Sequence, residues 1–387
     1  MAEALRVAMI GYGFMAAAHS QAWNVAPRFF DLPVRPELAV LVGPDVERAA
    51  VAAAKFGWAA TATSWREVVH RADIDLIDIC SPGDSHAEIA VAALAAGKHV
   101  LCEKPLANSV AEAIVMADAA AAAAAHGVYA MVGFSYRRVP AITFARDLVR
   151  SGRIGTLRRV QANYLQDWLV SENAPMTWRL DKSRAGSGAL GDIGAHAIDA
   201  VQFITGQTID EISGTLATFV TERPLLAEGI GLSGTVSAEW GTVTVDDSAL
   251  FTARLSDGAL ASFEATRFAT GRKNAFRLEF SGSKGALSFD LERMNELEFY
   301  DGNDAVGERG FRRILVTEPE HPYAAAWWPT GHGLGYEHAF THQVRDLVVD
   351  IVADRQPEPS FADGLQVQRV LDGVERSATN RSEWTTV

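Results

Sequence analysis

Two polar side chains, four residues apart, could perform acid–base chemistry. Asp192 and His196 lie at the end of a glycine-rich stretch that begins at Gly186. If this stretch starts a helix, side chains at this spacing share one face of it. A carboxylate beside an imidazole can orient the ring and adjust a base whose ordinary pKa of about 6.5 suits neutral pH. The alternative is a buried histidine that is hydrogen-bonded to the aspartate for structural reasons. We predict no metal site, because no third and fourth ligand follow at a workable spacing.

A lysine is predicted at the edge of a sheet, where ligands bind. Cys102-Glu103-Lys104-Pro105 ends a short apolar run that starts at His99, which places Lys104 at the carboxyl end of a predicted strand. A lysine ammonium can orient a substrate hydroxyl there and stabilise a developing alkoxide. Taken alone, the tetrapeptide would indicate only a surface lysine beside a turn proline.

A glycine-rich turn near the start of the chain has the pattern of a dinucleotide-binding loop. Gly11, Gly13 and Ala16 follow an apolar run and open an alanine-rich segment. The first glycine permits a tight turn, the second lets the backbone approach a pyrophosphate, and a small third residue allows close helix packing. The N–H groups at the start of the helix then face the anion. The alternative is an ordinary strand-to-helix turn.

The end of the second predicted strand leaves the choice of dinucleotide open. An acidic residue usually holds the adenine ribose at this place, but the chain has Gly43 and reaches its first carboxylate at Asp45. Asp45 could bind the ribose from the turn. Gly43 could instead leave room for a 2′-phosphate that Arg48 would contact. We therefore predict NAD as the cofactor, with NADP as the alternative.

These residues fall in two parts of the chain with different patterns. In the first third, short apolar runs alternate with segments of high helix propensity, which predicts βαβ units and a doubly wound parallel sheet. The predicted strands cover residues 6–10, 38–42, 76–79, 99–102 and 128–132. After about Gly133, period-two alternation and hairpin turns predict an α+β domain. Its two predicted antiparallel hairpins cover residues 251–265 and 276–289, and its predicted helices cover residues 195–205, 336–353 and 361–378.

Composition narrows the class of protein. The 387 residues suffice for two or three domains of about 150 residues each. The net charge of −13 repels nucleic acids and anionic membranes. Cys80 and Cys102 are too few for a disulfide framework, and no stretch approaches the ~18 apolar residues of a membrane span. With no leader visible, we expect a cytoplasmic protein that binds neither nucleic acid nor membranes.

Taken together, the motifs resemble the Gfo/Idh/MocA family, named after glucose-fructose oxidoreductase and inositol dehydrogenase. The resemblance covers nearly the whole chain. It rests on the turn at residues 11–16, Ser81-Pro82 with His86, Glu103-Lys104-Pro105, Asp192 with His196, and Phe361-Ala362-Asp363-Gly364. A narrower set of residues resembles the branch that oxidises anhydrosugars: Tyr164 to Trp168, Trp178, Arg179, Lys182, Ser183 and Ala185 to Ile193.

The resemblance implies a nicotinamide enzyme of α/β class. Its N-terminal Rossmann domain, with a doubly wound parallel sheet, would cover residues 1–133. A C-terminal α+β domain over residues 134–387, built on an open, mainly antiparallel sheet, would bind substrate and mediate assembly into a homodimer or homotetramer. The peptide bond before Pro105 is expected to be cis. The sequence departs from the family at Gly83, where many members have asparagine, and at Gly43, where the acidic residue is usual.

The resemblance also implies roles for individual residues. Lys104 would support the reacting hydroxyl, His196 would be the acid/base, and Asp192 would orient the substrate or its partner. Residues expected to bind the cofactor are Gly11, Gly13, Phe14, Met15, Asp45, Ser81, Pro82, His86, Glu103 and Lys104. Residues expected to bind the substrate are Lys104, Tyr136, Gln166, Trp168, Trp178, Arg179, Asp192 and His196.

Aromatic residues in the second half suit a carbohydrate, because ring faces pack on sugar C–H surfaces while polar groups reach the hydroxyls. The resulting hypothesis is reversible oxidation of a secondary hydroxyl of a pyranose-like sugar, with C3 as the expected position. A second hypothesis is redox-neutral glycoside cleavage through a 3-keto intermediate. A third is a non-catalytic sugar or nucleotide sensor, against which Lys104, Asp192 and His196 argue. Four further residues, Arg137, Arg138, His338 and His342, are predicted to be structural, and His19 is predicted to pack or to lie beside the cofactor.

Overall fold

The computed structural model of the chain describes residues 4–230 and 233–387. These residues form two compact units, one comprising Met1–Ser135 with Tyr336–Gln368 and the other comprising Tyr136–Gly335 with Arg369–Val387. The sequence-based boundary after residue 133 lies close to the first division. Residues 336–368 were assigned by sequence to the second domain, however, and the structure groups them with the first unit.

The strands and helices are as follows in chain order. The strands are β1 (Ala4–Ile10), β2 (Arg35–Val42), β3 (Ala60–Ala62), β4 (Leu76–Ile79), β5 (His99–Cys102), β6 (Ala130–Val132), β7 (Leu157–Leu165), β8 (Ile209–Ala217), β9 (Glu222–Ile230), β10 (Ser233–Thr242), β11 (Ser248–Leu255), β12 (Leu260–Thr266), β13 (Ala275–Gly282), β14 (Gly285–Asp290), β15 (Glu296–Asp301), β16 (Arg312–Leu315) and β17 (Thr385–Thr386). The helices are α1 (Phe14–Phe29), α2 (Val46–Phe56), α3 (Trp65–Val68), α4 (His86–Ala95), α5 (Val110–Ala124), α6 (Pro140–Arg150), α7 (Lys182–Ala185), α8 (Ala195–Thr205), α9 (Tyr336–Val352) and α10 (Phe361–Thr379).

The first unit is built on a six-stranded parallel sheet with the order β3-β2-β1-β4-β5-β6. Its central strands are buried and mostly apolar, such as the fully buried β4 with Asp78 as its one polar residue, because helices cover both faces of a doubly wound sheet. The prediction of a Rossmann sheet is confirmed. The short strand β3, with exposed alanine and threonine residues, escaped sequence reasoning.

Helix α9 completes the core of the first unit. Its residues Phe340, Val344 and Leu347 are buried in the same apolar cluster as Trp23 of α1. Sequence reasoning predicted the helix but not its place, because a 3.6-residue apolar period shows that one face is buried without showing which sheet it covers.

The second unit is built on a nine-stranded sheet with the order β16-β15-β14-β13-β7-β12-β11-β8-β17. Its neighbouring strands are antiparallel, apart from the parallel pair β7 and β12. The prediction of a mainly antiparallel sheet with both hairpins is therefore confirmed. Strands β9 and β10 form a separate hairpin that sequence reasoning missed, in part because Pro224 is unusual inside a strand.

The two faces of this sheet differ. Buried residues such as Val160, Ala162 and Tyr164 alternate along β7 with partly exposed polar residues such as Gln161 and Asn163. Gln161 and Asn163 line a depression of about 330 Å³ on the polar face. None of the predicted site residues lines this depression. Within the described part of the chain, no helix combines the length and apolar character that crossing a membrane requires.

Candidate active site

The turn after β1 has the geometry of a pyrophosphate cradle. Gly11 has a φ of +112°, and a Cβ there would lie 2.8 Å from the carbonyl oxygen of Cys80, so only glycine fits. Its N–H donates to the Val42 carbonyl at 2.9 Å. At Gly13, by contrast, an added Cβ would meet nothing within 4 Å, and the first turn of α1 holds no acidic residue. An open backbone at a helix N-terminus fits the pyrophosphate of a dinucleotide.

The end of β2 bears on the choice of cofactor. A Cβ at Gly43 would lie 2.1 Å from Cε1 of Tyr12, so the tyrosine ring covers the place where the sequence left room for a 2′-phosphate. The backbone N–H of Arg48 donates to Oδ1 of Asp45 at 3.0 Å, and its Nε lies 3.4 Å from Oδ2. This arrangement favours NAD over NADP. The exposed Asp45 stays the predicted ribose ligand.

The loops after β4 and β5 are tied together by His86. Its buried ring places Nε2 at 3.0 Å from the Ser81 carbonyl oxygen and Nδ1 at 3.1 Å from the Pro105 carbonyl oxygen. Ser81 and Ser85 join their hydroxyls at 2.7 Å within the first loop. The bond between Lys104 and Pro105 is cis, as the resemblance predicts. The half-buried Lys104 is thus held at the carboxyl edge of the sheet, where Rossmann folds bind ligands.

A buried histidine lies beneath the Lys104 turn. His19 places Nδ1 at 2.9 Å from Oδ1 of Asp78 and Nε2 at 2.9 Å from Oε1 of Glu103. Burial is the largest single influence on the pKa of His19 and lowers it, but the charge and hydrogen-bond contributions of Asp78 and Cys80 together outweigh burial, and that pKa lies well above its usual value. Trp23 donates to Asp78 at 2.7 Å, and the Lys104 N–H donates to Oε2 of Glu103 at 3.2 Å. Sequence reasoning overlooked Asp78, although a carboxylate inside an apolar strand is a visible signal.

His19, Asp78 and Cys80 are, within the described residues, the one group of side chains close enough to hold a metal ion. Burial raises the pKa of the Cys80 thiol, and the Asp78 carboxylate raises it further. A protonated thiol is a poor metal ligand. Hydrogen bonds to Asp78, including one from Cys80 Sγ at 3.5 Å, account for the group without a metal.

In the second unit, the glycine-rich stretch forms a π-helical turn over Leu190–Gly194 that leads into α8. The expected α-helical start is therefore replaced by a wider turn, of a kind often found at functional sites. The Asp246 carboxylate organises it by accepting the N–H groups of Gly188 at 2.6 Å and Leu190 at 2.8 Å. A Cβ at Gly188 would lie 1.8 Å from the Asp246 carbonyl oxygen, which explains this glycine.

His196 lies at the start of α8 among aromatic rings. Its ring stacks on Tyr136 with centroids 4.4 Å apart and planes 25° apart. Tyr164 and Phe276 complete the cluster around Tyr136, at 6.2 and 5.6 Å. His196 is half-buried, and its Nδ1 has almost no exposed surface. The ring is therefore held in orientation by packing.

A string of hydrogen bonds leads from this cluster to Trp168. The hydroxyls of Tyr136 and Tyr164 lie 2.8 Å apart, and Tyr164 donates to Oδ1 of Asn274 at 2.7 Å. The same oxygen accepts from the Gln166 amide at 2.9 Å, and Trp168 Nε1 donates to Gln166 at 2.9 Å. Asn274 was missed from the sequence because no motif surrounds it.

Two arginines, Arg179 and Arg267, interact with the Asp192 carboxylate. Arg267 Nη2 donates to Oδ2 of Asp192 at 3.0 Å. Burial lowers the pKa of Arg179, an effect that Asp192 opposes and Arg267 reinforces. Arg179 also lies over the Trp178 ring, at 4.5 Å from its centroid. The second unit thus brings together seven of the predicted substrate residues: Tyr136, Gln166, Trp168, Trp178, Arg179, Asp192 and His196. Lys104 lies in the first unit.

Arg137 has the structural role predicted for it. Its Nε lies 3.0 Å from each carboxylate oxygen of Asp199, and Nη2 lies 2.6 Å from Oδ1. Both residues are buried, so the pair fixes α8 from within the unit.

Comparison with known proteins agrees with this geometry. Residues 5–134 match the model of an oxidoreductase family with an NAD-binding Rossmann fold, and residues 142–288 match the GFO/IDH/MocA C-terminal domain. Levoglucosan dehydrogenase of Pseudarthrobacter phenanthrenivorans is 40% identical over 99% of this chain and 98% of its own length.

Solved structures also match the chain over all or nearly all of its length. An oxidoreductase domain protein from Kribbella flavida has a TM-score of 0.95 and 62% identity, with complete coverage of both chains. Levoglucosan dehydrogenase in complex with NADH and levoglucosan has a TM-score of 0.92 and 39% identity, with 99% of both chains covered.

Proposed function

The chain belongs to the Gfo/Idh/MocA family of NAD-binding oxidoreductases, and from this premise we propose that it oxidises a secondary hydroxyl of a pyranose or anhydrosugar such as levoglucosan. The product is the keto sugar, with C3 as the position oxidised. The similarity to levoglucosan dehydrogenase over the full length of both chains supports an anhydrosugar as the first substrate to test.

One observation carries the proposal. The His196 ring stacks on Tyr136, and a chain of hydrogen bonds leads from Tyr136 to the indole of Trp168. These hydrogen bonds pass through Asn274. Hydroxyl and amide groups match the hydroxyls of a sugar, and an indole face matches its C–H surface. Asp192 adds a partly exposed carboxylate.

The chain supplies the proton chemistry of the reaction. Nδ1 of His196 is buried, so we assign Nε2 as the atom that takes the hydroxyl proton. Lys104 stabilises the oxygen as negative charge develops on it. Bound NAD would supply the hydride acceptor: the carbinol carbon gives up one proton and two electrons as hydride, and the hydroxyl gives its proton to His196, so the sugar loses two protons and two electrons in all. The cradle at Gly11 and Gly13, with Asp45, would hold the dinucleotide.

The test is NADH formation by the purified protein with levoglucosan, with NAD and NADP compared in parallel. We expect NAD-dependent turnover that falls at least ~100-fold in Lys104→Met, since one group that stabilises developing charge is worth this much. Lys55→Met, an exposed lysine of the same unit, is the control and should retain turnover. Retained turnover in Lys104→Met, or no turnover with any sugar tested, would contradict the proposal.

Deuterium at a single carbon tests the position. A primary isotope effect with the sugar deuterated at C3, and none with deuterium at C2 or C4, is expected. Release of nitrophenol from a nitrophenyl glycoside without net NADH would instead favour redox-neutral glycoside cleavage. We further propose a homodimer or homotetramer, which light scattering on the eluted protein checks.

A further inference from the structure

We propose that Arg267 is a positioning residue that orients the Asp192 carboxylate and the Trp168 indole toward the sugar. This inference rests on the proposed function. Arg267 follows β12 directly, and no sequence motif drew attention to it. Its importance emerges only from the groups that the fold places around it.

The guanidinium of Arg267 joins two parts of the candidate site. Nη2 donates at 3.0 Å to Oδ2 of Asp192 and at 3.0 Å to the carbonyl oxygen of Gly188, two residues before the π-helical turn. The central carbon of the guanidinium lies 5.4 Å from the Trp168 ring centroid. One planar group thereby holds the carboxylate, the start of its turn and the indole in a fixed relation.

The exposed fractions of the Arg267 and Asp192 side chains show which of the two faces outward. The Arg267 side chain is 1% exposed, whereas that of Asp192 is 28% exposed. Arg267 therefore lies behind the carboxylate and cannot itself contact a ligand. Its Nε and Nη1 are buried without a hydrogen-bond partner among the described residues, so the Asp192 carboxylate, the Trp168 ring and the longer-range charge of Asp247 stabilise the guanidinium.

A second buried arginine shows what a purely structural role looks like. Arg223 is fully buried, and within the described residues its guanidinium donates to backbone carbonyls alone, those of Leu169 and Ser171 at 2.8 and 2.7 Å and that of Ala174 at 3.5 Å. Arg267 differs because it forms a salt bridge, the one it makes among the described residues, with a carboxylate that faces outward. Keeping a buried guanidinium there is costly, which favours a positioning role over mere packing.

Steady-state kinetics of Arg267→Met and Arg267→Lys test the proposal. We expect the sugar KM to rise at least ~10-fold in Arg267→Met, as befits a lost hydrogen bond to a charged group, with the NAD KM unchanged within about twofold. Arg267→Lys should recover part of the loss, because it keeps the charge but not the planar fork. A purely structural role would not separate the two KM values.

Arg277→Met is the matched control. Arg277 lies in the same unit and pairs with Asp290 through Nε at 2.8 Å, but on the polar face of the sheet. Its sugar KM should stay within about twofold of the unsubstituted protein. An unchanged sugar KM in Arg267→Met would overturn the proposal.

A crystal structure of Arg267→Met separates this inference from the proposed function. If no sugar is turned over, the proposed function fails, and the structure still tests Arg267. We expect Asp192 and Trp168 to shift by more than ~1 Å, whereas positions within ~0.5 Å of the original would overturn the positioning role. If Arg267→Met does not fold, Arg267→Lys undergoes the same two measurements.

Discussion

At the scale of single residues, His19 is a buried histidine whose raised pKa favours the positively charged form. It is buried between the Asp78 and Glu103 carboxylates, so its protonated form is bonded at both ring nitrogens. Because Glu103 also accepts the Lys104 N–H, the imidazolium stabilises the turn that holds the proposed catalytic lysine. Glu103 itself is 4% exposed.

The raised pKa of His19 predicts how stability depends on pH. The native state retains a proton that the unfolded chain loses above about pH 6.5, so this contribution is fully present below that pH. As the pH rises from about 6.5 toward the pKa of His19 in the folded protein, this contribution to the free energy of unfolding is lost, by at most about 1.4 kcal/mol per pH unit.

Urea unfolding of the unsubstituted protein and of His19→Gln checks this expectation. The difference in unfolding free energy between the two should be larger at pH 6 than at pH 9. Comparing the two proteins cancels the titration of all other groups they share. Parallel stability curves across this range would show that His19 is neutral in the fold.

At the scale of elements, the π-helical turn depends on contacts distant in sequence. The Asp246 carboxylate binds the N–H groups of Gly188 and Leu190, and Arg267 binds the Gly188 carbonyl oxygen. The N–H and the carbonyl oxygen of Gly188 are thus both held by side chains distant in sequence. This arrangement requires the backbones at Gly188 and Asp246 to lie closer than a side chain would allow.

Gly188→Ala should therefore destabilise the second unit. The added Cβ would lie 1.8 Å from the Asp246 carbonyl oxygen, and backbone cannot yield as a flexible side chain can. We expect the free energy of unfolding to fall by about 1–3 kcal/mol or more, which is the usual cost of overpacking. Gly310→Ala, where an added Cβ meets nothing within 4 Å, should stay within about 0.5 kcal/mol. Denaturation followed by circular dichroism measures both, and equal midpoints for the two variants would contradict the argument.

At the scale of the whole molecule, the first unit is assembled from two separate parts of the chain. Helix α9 packs its Phe340 ring 5.5 Å from the His19 ring and shares an apolar cluster with Trp23 and Leu41. The core around α1 and β2 is therefore incomplete without α9, which follows eight of the nine strands of the second sheet in sequence.

Residues 1–135 expressed alone should consequently fail to form a rigid core. We expect the fragment to bind the dye ANS and to unfold without a cooperative transition, as loosely packed states do. Joining residues 336–368 to it through a flexible linker should suppress dye binding and restore cooperativity. Cooperative unfolding of the 1–135 fragment by itself would show that α9 is dispensable.

The sequence alone determined what depends on neighbours along the chain. The pattern of apolar residues predicted β4, β5 and α8 with the bounds that the structure shows. Such patterns depend on residues that are close together in sequence. The turn at Gly11 and the Lys104-Pro105 motif were likewise readable, because tight turns demand particular residues in a row.

Only the tertiary structure decided which distant residues meet. The salt bridge from Arg267 to Asp192, the Asp246 contacts to the π-helical turn, and the Tyr12 ring over Gly43 are invisible to periodicity. The same holds for the return of α9 to the first sheet. Amphipathic patterns specify that a face is buried but not its partner, and partners are chosen by how all the elements pack together.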